Sequence, residues 1–132
     1  MPATRHSTPP HERLEAWRAC HELLLVIYRA TRKWEADGAH ALIPRVHDAA
    51  LAAATALRQF PTASGPRDRG RLLSEAAGAL GCLDCLLLVG RDLRIIDPEE
   101  GRLLDGFVTR ATQLIGGLRR SWRRRGERAG AG

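Results

Sequence analysis

Three breaks govern what this chain can fold into. Gly38, the run Pro61-Thr-Ala-Ser-Gly-Pro-Arg-Asp68, and Asp97-Pro98 cut the sequence into four segments whose apolar residues recur every three or four positions. That spacing is the period of an α-helix, and no segment shows the strict alternation of a strand. One Tyr, two Phe and few Val leave little material for a sheet. An all-α fold follows, and three short connections between four long helices predict an antiparallel up-down-up-down four-helix bundle. At 132 residues the chain suits one domain.

The first helix should open near Thr8-Pro9-Pro10, because proline is tolerated in a first turn, and end before Gly38. Its inner stripe reads Leu14, Trp17, His21, Leu24 or Leu25, and Tyr28. The second helix runs from Ala39 to Phe60 with Leu42, Val46, Ala49, Ala50, Ala53 and Leu57 facing inward, and Pro44 belongs in its first turn. The third covers Arg69 to Leu93. The fourth opens at Asp97-Pro98-Glu99-Glu100, where a capping carboxylate, a first-turn proline and two acids suit the helix dipole, and it runs to about Arg125. Residues 11–125 therefore form the bundle, with flexible ends over 1–10 and 126–132.

The third helix carries more apolar surface than one core stripe can absorb. Leu80, Leu83, Leu86, Leu87, Leu88 and Val89 project around most of its circumference, which points to self-association. Asp84 interrupts the longest apolar stretch, Ala76 to Gly90, so no membrane span and no membrane partner is expected. The first residues hold Arg5 and prolines but no apolar core for a secretory signal, and the expected location is the cytoplasm.

The formal net charge is +6, and all but one of the cations, Lys33, are arginines. Most of the excess sits at one place. Arg119, Arg120, Arg123, Arg124, Arg125 and Arg128 face a single acid, Glu127, and interleave with Trp122. Arginine keeps its charge and presents a planar fork to phosphate, so these six are the candidate nucleic-acid-binding residues. Leu114, Leu118 and Trp122 share the i, i+4 spacing of a core stripe, which turns Trp122 inward rather than toward a base.

Other chemistry resolves into packing. Cys82-x-x-Cys85 lies in the middle of a helix rather than at the N-terminus that would lower a thiol pKa, so both thiols are expected to be buried, reduced and metal-free. A zinc site would need two more ligands, and the adjacent pair Cys20-His21 points about 100° apart on a helix. Gly78 and Gly81 read as places of close helix contact. The histidines form no H-E-x-x-H or E-x-x-H pair, and no serine has a paired base. No enzyme, metal or cofactor is expected.

The motif Leu14-x-x-Trp17-x-x-Cys20-His21-Glu22-Leu23, followed by Ile27-Tyr28-x-x-Thr31, resembles the opening helix of the bacterial four-helix-bundle family encoded in 23S rRNA intervening sequences. Leu42, Ala49-Ala50, Gly78-Ala79-Leu80-x-x-Leu83, Leu87-Leu88 and Leu114-Ile115-x-Gly117-Leu118-x-Arg120-Ser121-Trp122 continue the likeness in register. The second helix departs from it: His47-Asp48 stands where the family has an Arg pair, and Ala56-Leu57-Arg58-Gln59-Phe60 where it has Asn-Ile-Ala-Glu-Gly. The resemblance implies a homopentameric barrel. It also implies kinship with the accessory variability determinants of diversity-generating retroelements, which bind nucleic acid through basic surface and partner a reverse transcriptase. The expected function is thus a non-enzymatic oligomeric scaffold for RNA or DNA; the alternative is a protein–protein adaptor with no nucleic-acid role.

Overall fold

The computed structural model describes residues 10–131, and the side chains of residues 11–124. The described residues form four helices, α1 (Pro10–Thr31), α2 (Ala39–Gln59), α3 (Pro66–Asp92) and α4 (Pro98–Ala131), with a short 3-10 turn, Phe60–Thr62, after α2. No strand occurs among the described residues. Each helix packs on its neighbours in sequence, and α4 closes on α1. Tyr28, late in α1, stacks on His47 in the first half of α2, while Trp17 meets Arg58 near the end of α2, so the two helices run in opposite directions. The same holds for α1 and α4, whose joined ends are tied where the Trp34 indole Nε1 donates to Glu100 Oε1 at 2.7 Å. The fold is a four-helix bundle.

Leu23, Ile27, Val46, Leu72, Leu73, Leu80, Leu83, Leu87, Leu104, Ile115 and Leu118 fill the centre. Each fully buried aliphatic side chain contributes about 1.5–3 kcal/mol relative to leaving it in water. On α2, Leu42, Val46, Ala49, Ala50, Ala53 and Leu57 face inward as the period requires. α3 begins at Pro66, earlier than expected, because proline suits a first helical position and Asp68 accepts from the Ser64 N–H at 3.2 Å. It ends where Arg94 takes a left-handed φ of 60° and the Ile95 N–H reaches back to the Gly90 carbonyl at 2.8 Å.

Several expectations need correction. On α1 the core takes Ala16, Ala19, Cys20, Leu23, Ile27 and Ala30, whereas Leu14 and Tyr28 are each 44% exposed. The stripe of large residues is real, but it forms a second face turned toward the flank of α2. Pro44 lies beyond the first turn, and α2 continues through it, which forfeits the one bond its missing N–H would donate near the helix start. Cys82 and Cys85 are exposed rather than buried, because α3 turns Leu80, Leu83 and Leu87 inward and these two positions outward. Gly78 and Gly81 lie on that same outer face, with nothing within 4 Å of a Cβ placed on either. α4 continues past Arg125 to Ala131, through Gly126, a residue that costs ~1 kcal/mol in a helix without forbidding it. The expected flexible ends, residues 1–10 and 126–132, fall outside the described side chains.

α3 is long and apolar enough to cross a membrane by composition, with mean hydropathy 1.8 over its most apolar window, of which 33% is buried. Its inner face, however, is packed into the bundle core, and Asp84 stands exposed near its middle.

Candidate nucleic-acid interface

The up-down connectivity gathers the start of α1, the end of α2, the start of α3 and the end of α4 at one end of the bundle. Arg13, Arg18, Arg58, Arg67, Arg69, Arg71, Arg119, Arg120, Arg123 and Arg124 all belong to that half, against Glu12, Glu15, Glu22, Asp68 and Glu75. The other half is balanced. Arg29, Arg32, Lys33, Arg45, Arg91, Arg94, Arg102 and Arg110 there face an equivalent set of carboxylates, among them Asp48, Asp84, Asp92, Asp97, Glu99, Glu100 and Asp105. Among the described residues the excess positive charge is therefore concentrated at one pole.

Of the six arginines singled out by sequence, Arg120, Arg123 and Arg124 are exposed and Arg119 is half-buried. The side chains of Arg125 and Arg128 lie outside the described residues, although the α4 backbone passes through both. Arg119, Arg120, Arg123 and Arg124 form no ion pair with any other described residue. Trp122 is half-buried and turned onto the core, as its spacing required, and meets Phe60 edge to face at 5.8 Å between ring centroids. The guanidinium of Arg69 lies 5.9 Å from both of those rings, an arrangement that attracts a cation to the aromatic faces.

Sequence reading missed the contributions of Arg13, Arg58, Arg67 and Arg69. They come from three separate segments, none of which is a charge run, so only the topology brings them to the end of the bundle where α4 carries its arginines. Arg71 is different, since its guanidinium is shared between Asp68 and Glu75, which holds the Asp68 carboxyl below its ordinary range.

A second polar group lies elsewhere, between α1 and α2. The Thr31 hydroxyl donates to the Tyr28 carbonyl at 3.1 Å, which leaves its oxygen to accept from His47 Nε2 at 2.8 Å. Burial lowers the pKa of His47, opposed in part by Asp48. In the core, burial pushes the Cys20 thiol up to about 12, which makes it inert at neutral pH. Among the described residues no group of three or more His, Cys, Asp or Glu side chains is placed to hold a metal ion. No protein-family model and no curated protein matches this chain.

Proposed function

We propose that the chain is a non-enzymatic, homo-oligomeric scaffold that binds RNA or DNA through the basic pole of its bundle without strong sequence preference. The observation that carries this reading is the segregation of charge: among the described residues, arginines from all four helices gather at one end, all but Arg71 without an ion pair, while the other end is balanced. Arginines so placed neutralise phosphates and release counterions, a contribution that is strong at low salt and indifferent to base identity. The resemblance to the intervening-sequence family supports the same reading, and through it a pentameric assembly and a reverse transcriptase as protein partner.

Oligomerisation is supported by the outer face of α3. Cys82, Cys85, Leu88 and Val89 stand exposed there, Leu88 at 56%, in a stretch whose glycines would let another helix approach. Repeating the basic pole around an assembly multiplies weak phosphate contacts into useful avidity. The test is a mobility shift of labelled RNA and DNA by protein first purified free of nucleic acid, at moderate salt, with light scattering on the same sample. Binding by a particle several times 14.5 kDa supports the reading. A non-binding monomer overturns it.

A further inference from the structure

At the margin of the basic pole, α1, the end of α2 and the turn after it frame an open cavity of about 230 Å³ lined by Arg13, Leu14, Trp17, Leu57, Arg58 and Pro61. It is smaller than the ~300–1,000 Å³ of sites for drug-sized ligands, which suits it to a single ring system. Its wall is an indole flanked by two cations. Trp17 is half-buried and held by a stacked His21, the ring centroids 4.9 Å apart and nearly parallel. The guanidinium of Arg58 lies 5.5 Å from the Trp17 centroid. Arg13 lines the same cavity and brings a second guanidinium to it.

We infer that this cavity is a nucleotide slot for single-stranded nucleic acid: one unpaired base stacks on Trp17 while Arg58 and Arg13 take the adjoining phosphate. The inference rests on the basic-pole reading and sharpens it to a strand class. A duplex keeps its base faces stacked inside the helix and has none to offer an indole, whereas a single strand offers every base in turn. The incoming base takes the place of the Arg58 guanidinium over the ring. That guanidinium is the far end of a flexible, exposed side chain, so it can follow the phosphate at little cost. Leu14, Leu57 and Pro61 supply the apolar edge that a base needs and a bare phosphate does not. Stacking reads the π-face that all bases share, which agrees with binding that ignores sequence.

The experiment measures fluorescence anisotropy of a labelled oligodeoxythymidylate and of a labelled duplex of equal length, at matched salt, with wild-type protein, Trp17→Leu, Trp17→Tyr and Arg58→Gln. Trp17→Leu is expected to weaken single-strand binding about tenfold or more while Trp17→Tyr, which keeps a ring, retains most of it. Duplex binding should stay within about twofold for both Trp17 variants. Arg58 is exposed, so Arg58→Gln keeps the test valid should Trp17→Leu not fold; it is expected to weaken single-strand binding more than duplex binding. Equal effects on single strand and duplex, or none on the single strand, overturn the slot while salt-dependent binding by the basic pole survives. Absence of any binding at low salt overturns both.

Discussion

Phe60 and Trp122 meet edge to face, 5.8 Å between ring centroids, and so fasten the arginine-bearing end of α4 to the turn that closes α2. Phe60 is 2% exposed, so truncating it leaves a cavity as well as an unpartnered Trp122 ring. Phe60→Ala should lower unfolding stability by about 3–5 kcal/mol, measured by denaturant titration, whereas an isolated surface ring would cost far less.

Two glycines should respond to alanine with opposite sign. A Cβ on Gly90 would meet Ile96 Cδ1 at 2.6 Å and Leu42 Cδ2 at 3.0 Å, while one on Gly106 would meet nothing within 4 Å. Gly90→Ala should destabilise by about 1–3 kcal/mol through overpacking, and Gly106→Ala should stabilise by about 0.5–1 kcal/mol through helix propensity. Thermal melts of the two variants check the contrast.

His47 makes stability depend on pH. Burial holds its pKa below the ordinary 6.5, so the unfolded chain takes up this proton at a higher pH than the folded one. The contribution is full above about pH 6.5 and is lost as pH falls through that value toward the lower one of the folded state. The melting temperature of wild type should therefore drop more than that of His47→Gln between about pH 7.5 and about pH 5.5.

The three cysteines should separate into two classes. Cys20 is buried with its pKa raised to about 12, and should react with a thiol reagent only on unfolding. Cys82 and Cys85 are exposed on the outer face of α3 and should react in the native protein at low concentration. If that face is where copies meet, their rates should fall as protein concentration rises. Concentration-independent rates would place the subunit contact elsewhere.

Much of the fold was legible because its signals are local. Asp97-Pro98-Glu99 marks the α4 start, Gly38 the α2 start, and the α2 period picks out Leu42, Val46, Ala53 and Leu57 as core. On α1 the stripe of large side chains and the core face are different faces: the bundle centre takes the small Ala16, Ala19 and Cys20 and leaves Leu14 and Tyr28 outside. On α3, apolar content did announce surplus surface, but not that Cys82 and Cys85 belong to it, since their period alone does not say which side the core lies on. The α4 arginines could be read as a run. Arg58 and Arg69 could not, because nothing but the antiparallel topology puts them beside Trp17, Phe60 and Trp122.

Two matched variants separate nucleic-acid binding at the basic pole from binding spread over the whole bundle. One replaces Arg119, Arg120, Arg123 and Arg124 by glutamine; the other replaces Arg29, Arg32, Arg45 and Arg102, which are exposed on the balanced half. Affinity for a labelled oligonucleotide is measured across a salt series, with circular dichroism to establish that both variants are folded. Binding at the basic pole predicts that the first variant binds more weakly and that its slope of log K against log salt flattens by ~0.7–0.9 for each phosphate no longer neutralised, while the second stays close to wild type. Equal weakening in the two variants, or an unchanged slope in the first, would contradict it.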